Sequence, residues 1–92
     1  MRTKFQMEVR RQRVKNANEL LTWLANQHHS LHSKVYEEIV EPYAEDIGLE
    51  RFEVWKAWAI LKKTGRCKDR SGWNWEILSK EPVIVLEDGS VK

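Results

Sequence analysis

Gly48 is the residue that most limits how this chain can fold. It separates a short stretch, 42–47, from a longer one, 50–63, and both carry apolar side chains at helical spacing. Pro42 has no backbone N–H to give a helix interior, but it suits a first turn. The chain is therefore expected to break near Glu41, begin a short helix at Pro42 and stop at Gly48, which accepts the left-handed backbone of a tight turn. A second helix should run from about Glu50 to Lys63 and end at Thr64-Gly65. Within residues 43–58, YAEDIGLERFEVWKAW, the small Ala44 permits two helices to cross closely. Ile47 and Leu49, on either side of the glycine, are expected to point into the core. Val54 anchors the second helix, and Ala57, Trp58 and Leu61 continue its inward stripe.

Around this segment the 92 residues read as one domain, long enough for a single core. Residues 4–10 alternate, with Phe5, Met7 and Val9 apolar between polar neighbours, which is the pattern of a half-buried strand, though a segment this short also suits a frayed helix. Asn16 or Asn18 can cap a following helix whose stripe is Leu20, Leu21, Trp23 and Leu24, ending near His28. Ser30 or Ser33 restarts a helix with Val35, Tyr36, Ile39 and Val40 inward. In the tail, Trp73, Trp75 and Ile77 alternate with polar residues, Lys80-Glu81-Pro82 turns the chain, and Val83–Leu86 is a compact β-type run before an Asp88-Gly89 turn signal. The expected organisation is a basic segment over 1–16, a helical core over 17–65 and a β-hairpin over 72–90: mainly α with a C-terminal hairpin.

The net charge is only +2, but it is sorted into blocks. Residues 1–16 carry six cations against Glu8, residues 37–53 carry seven acids against Arg51, and residues 56–70 carry six cations against Asp69. Two basic blocks thus flank an acidic one, so the chain can present a basic face despite its modest total. The plainer alternative is solvated helix faces that neutralise one another.

Several function classes find no support in the sequence. No apolar run reaches the roughly 18 residues of a membrane span, and the basic N-terminus, MRTKFQMEVRRQR, is not followed by the apolar stretch of a secretory signal, so a cytoplasmic location is expected. A single cysteine, Cys67, cannot form an intrachain disulfide and has no nearby histidine to activate it. No glycine-rich phosphate loop, Ser/His/Asp set or paired catalytic carboxylates stand out, and the acids at 37, 38, 41, 45 and 46 read as a solvated face, so no enzymatic activity and no cofactor are expected. His28 and His32 lie one turn apart, but no further ligand is close, and a metal is not expected. Trp73 and Trp75 share one strand face; covering the core is favoured over stacking on the bases of a single strand.

Residues 43–58 resemble the helix-turn-helix of phage Cro and repressor proteins, in which an Ala-x-Asp-aliphatic-Gly-aliphatic run precedes an aliphatic anchor. The matching positions are Ala44, Asp46, Ile47, Gly48, Leu49 and Val54, followed by Lys56-Ala57. A helix-turn-helix over 42–64 followed by a hairpin is, in turn, similar to a winged helix, with residues 72–87 as the wing and 4–10 as an extra strand. The resemblance implies a regulatory protein that binds double-stranded DNA, as monomer or homodimer, with its second helix in the major groove. Carried over, Glu50, Arg51, Phe52, Glu53, Trp55 and Lys56 would face the groove. Arg51 could read guanine, and Lys56 would meet a phosphate. Lys62, Lys63, Arg66, Lys68 and Arg70 would grip the DNA backbone beside the wing, with Arg10, Arg11 and Arg13 as a second grip.

A second reading rests on the same helix. Glu50 and Glu53 would be repelled by phosphates, and Phe52, Trp55 and Ile60 would be shown to solvent, as at protein interfaces. The chain would then be a small modulator, of the sort mobile elements encode, that binds a larger host protein complex through Phe52, Trp55, Ile60 and Glu53.

Overall fold

The structure, a computed structural model, describes residues 3–26, 40–70 and 74–92. Ser30, Ser33, Val35, Tyr36, Ile39, Trp73 and the three histidines lie outside these residues, as do the readings made of them. The protein is mainly helical with a two-stranded antiparallel hairpin in its C-terminal part. No described helix is long and apolar enough to cross a membrane.

Helix α1, Lys4–Ala25, begins earlier than expected and absorbs the segment read as a strand. Its start is fixed by a reciprocal cap. The Thr3 hydroxyl accepts from the Gln6 N–H at 3.1 Å, and the Gln6 side chain accepts from the Thr3 N–H at 2.8 Å. The alternation of Phe5, Met7 and Val9 misled because Phe5 and Val9 are also one helical turn apart; Phe5, 73% exposed, covers no sheet. Burial starts at Val14 and recurs at Ala17, Leu20, Leu21 and Leu24, which is the helical period. Asn16 and Asn18 are therefore mid-helix residues rather than caps. Asn16 is buried, and its amide oxygen accepts from Gln12 at 3.0 Å.

The stop at Gly48 stands as read; the break expected near Glu41 does not show among the described residues, where Val40 already has helical φ and ψ of −66° and −52°. Helix α2, Glu41–Ile47, has Pro42 in its first turn and ends at Gly48 with φ 79°, whose N–H bonds the Ala44 carbonyl at 2.9 Å. Helix α3, Arg51–Lys63, follows, with Glu50 at its N-cap and Thr64 at its C-cap. Ala44, Val54, Ala57, Trp58 and Leu61 are buried as expected, and Leu49 is partly so. Ile47 is not: it is 48% exposed, because the last residue of so short a helix lies at the rim of the core.

The hairpin sits closer to α3 than the sequence suggested. Strand β1, Cys67–Arg70, pairs with β2, Asn74–Ile77, in the register Cys67↔Ile77, Lys68↔Glu76, Asp69↔Trp75 and Arg70↔Asn74. Facing residues share a side of the ladder, so Cys67, Trp75 and Ile77 look inward while Lys68 lies opposite Glu76 on the outer face. Trp75 is buried edge-on against Trp58, with ring centroids 6.3 Å apart, which docks the hairpin on α3. Residues 83–86 do not pair with the tryptophan strand. They turn at Asp88-Gly89 and return on themselves, with mutual Ile84–Lys92 backbone bonds at 3.0 Å around a Val85↔Val91 bridge.

Candidate nucleic-acid interface

Among the described elements, helices α1 and α3 make the most extensive contact, and the residues they bring together run in opposite order along the two helices. Near its middle α1 shares a hollow with Leu49 and Glu53 through Gln12, Arg13 and Asn16; closer to its start it faces the later turns of α3. There Arg10 and Arg13, three residues apart on one face of α1, meet Lys56 and Lys63, nearly two turns apart on α3. Ala59 and Ile60 line the space between them, a groove of about 230 Å³. Small Ala59 and buried Ile60 give the groove its apolar part, and the four long cationic side chains line the rest. A strand over 4–10 would have dispersed these arginines; the helix aligns them.

The groove's cations are not equally free. Arg13 lies 3.9 Å from the Glu53 carboxylate, beyond hydrogen-bond reach, so the pair is a weak, partly solvated ion contact. Lys56 sits over the Phe52 ring, 5.1 Å from its centroid, a cation–π contact that holds the ammonium against the outer side of α3. Lys62 and Lys63 are exposed in the last turn of α3, where cations also complement the helix dipole.

The remaining candidates lie elsewhere. Arg11 faces away, lining a hollow with Lys15, Asn18, Glu19 and Val85. Lys68 is exposed on the outer face of β1, and Arg70 ends that strand opposite Asn74. Arg66, expected to grip phosphate, is instead a structural clamp. Its guanidinium donates to the carbonyls of Thr64 at 3.0 Å, Glu81 at 3.1 Å and Pro82 at 2.9 Å, tying the tail to the end of α3. Arg51 lies at the opposite end of α3, 3.7 Å from Glu41, in a hollow also lined by Glu45 and Glu50.

Of the residues suggested for a protein partner, Phe52 and Trp55 are exposed, at 54% and 41%. Ile60 is not: it is 6% exposed, because α1 packs along that side of α3, and it belongs to the groove floor. Glu53 is half-buried beside Arg13. On the buried side of α2, Tyr43 is fully buried edge-on against Trp23, whose indole N–H reaches Asp46 at 3.2 Å. Burial, with the nearby negative charge of Glu19, pushes the Tyr43 hydroxyl from 10.0 to about 12. Among the described residues no group of three or more His, Cys, Asp or Glu is placed to hold a metal ion.

Comparison with protein-family models, with curated proteins and with solved structures finds no match to this chain.

Proposed function

We propose that this chain is a small DNA-binding protein on a winged-helix-like plan, with α2 and α3 as its helix-turn-helix and the β1–β2 hairpin in the place of the wing. The observation that carries this reading is the groove in which Arg10, Arg13, Lys56 and Lys63 converge from two helices. Like charges gathered over an apolar floor repel one another, and a row of phosphates relieves that repulsion while releasing its own counterions. The direct test is duplex binding at low salt by fluorescence anisotropy. The double variant Lys56→Ala/Lys63→Ala should lose most binding with an unchanged circular dichroism spectrum. Arg11→Ala, on the other side of α1, should lose little. Absence of a duplex complex even at low salt would end the reading.

A second reading is supported by Phe52 and Trp55, exposed one turn apart on the outer side of α3. Aromatic side chains displayed together favour a protein partner, such as a larger host complex. It predicts a nuclease-resistant partner in affinity purification that is lost on Phe52→Ala or Trp55→Ala while the fold persists.

A further inference from the structure

Charge is sorted along α3. Its later turns join Arg10 and Arg13 of α1 in the cationic groove, whereas its first turn opens on a hollow lined by Glu41, Glu45, Glu50 and Arg51. Arg51 is the one cation among the described residues of that hollow, and its guanidinium lies 3.7 Å from Glu41. Glu53 follows in the same turn and faces Arg13 at 3.9 Å. Measured from Arg51 at the helical rise per residue, the groove's lysines lie about 8 Å (Lys56) to about 18 Å (Lys63) along the helix.

We infer that the groove holds the phosphodiester backbone of duplex DNA without reading its bases, and that the acidic first turn of α3 keeps the base-reading end of that helix off the duplex. The inference rests on the DNA-binding reading above. Helix-turn-helix proteins read sequence with side chains near the start of the second helix, placed in a groove about 12 Å wide between two walls of phosphate. Here that insertion would carry Glu50 and Glu53 between those walls, against one negative charge per roughly 1.7 Å of duplex. A bidentate reading of guanine needs the full donor fork of an arginine, and the Glu41 carboxylate, 3.7 Å from Arg51 in a weak, solvated ion contact, competes for that fork without filling it. Phe52, the other exposed side chain of that turn, offers no hydrogen bond to a base edge. The groove end presents two lysines and two arginines to the same field, and such contacts position a protein on the backbone without carrying sequence information.

The test is anisotropy with the full chain on short duplexes of equal length and different sequence: AT-rich, GC-rich and mixed. The affinities should agree within a few-fold, against gaps of ~10³-fold or more in base-reading proteins. Arg51→Ala should weaken every duplex alike and modestly, leaving the ratios between sequences unchanged. Glu50→Gln, which preserves shape and removes one negative charge, should tighten all duplexes alike. A sequence bound about tenfold or more above the others, with that preference lost in Arg51→Ala, would overturn the inference while leaving the DNA-binding reading in place. No binding to any duplex would overturn both.

Discussion

The carboxamide of Asn18 on α1 meets both backbone groups of Val83: its Nδ2 donates to the Val83 carbonyl at 3.0 Å and its Oδ1 accepts from the Val83 N–H at 2.7 Å. Val83 is buried, so this reciprocal pair supplies what solvent cannot reach and fixes the tail to the middle of α1. Asn18→Ala should cost about 1–3 kcal/mol in urea denaturation, because two buried backbone groups lose their partners. Asn18→Asp should not rescue it, since an anionic oxygen would replace the donor facing the Val83 carbonyl. Equal stability of wild type and Asn18→Ala would show that the clasp is not a stabilising contact.

Arg66 secures the same tail from the other side through three carbonyl oxygens. A lysine carries one compact ammonium and cannot span Thr64, Glu81 and Pro82 together. Arg66→Lys should therefore destabilise by about 1–2 kcal/mol, each lost bond contributing near 1 kcal/mol with partial recovery by water. Under conditions where the variant stays folded, its affinity for duplex should change little. A large affinity loss at unchanged stability would place Arg66 in the binding surface instead.

Gly48 holds φ 79°, and a Cβ built there meets nothing within 4 Å. The cost of a side chain is thus purely conformational. Gly48→Ala should lose about 1–2 kcal/mol, and Gly48→Asn should lose less, because asparagine tolerates the left-handed region. Both should shift the denaturation midpoint without changing its slope.

Tyr43 provides a pH prediction. Its hydroxyl is held up to about 12 in the folded chain against 10.0 for the free group. The unfolded chain thus releases this proton at lower pH than the folded one. Its contribution is fully present below about pH 10 and is lost as pH rises toward 12. Tyr43→Phe, which removes the ionisation, should flatten the alkaline fall in stability over that interval. An alkaline limb of unchanged steepness would contradict the assignment.

The sequence exposed the parts of the fold governed by local backbone chemistry. Pro42, Ala44 and Gly48 constrain φ, packing distance and handedness on their own, and they stand in the first turn of α2, on its buried side and at its end. The inward stripe of α3 was equally legible because Val54, Ala57, Trp58 and Leu61 repeat at one period. Features set by long-range contact were not. Asn18 looks like a cap until Val83, 65 residues away, comes to it. Ile60 looks exposed on α3 alone and becomes buried once α1 lies beside it. Trp75 could pair forward with 83–86 or back with 67–70, and the alternating pattern suits both; the backward partner places Trp75 on Trp58. The same limit applies to the groove. Its lysines were singled out one by one, but their convergence with Arg10 and Arg13 required α1 to be helical from Lys4 onward, and the signal for that was the Thr3–Gln6 cap.

The central claim is that four cations of one groove engage phosphates, and the salt dependence of duplex affinity counts such contacts. With Arg13 partly turned to Glu53, the logarithm of the affinity should fall with the logarithm of salt at a slope of about −3, and Lys63→Ala should make it shallower by about 0.9. A slope near zero, or one that Lys63→Ala and Arg10→Ala both leave untouched, would contradict the assignment of this groove as the DNA-binding surface.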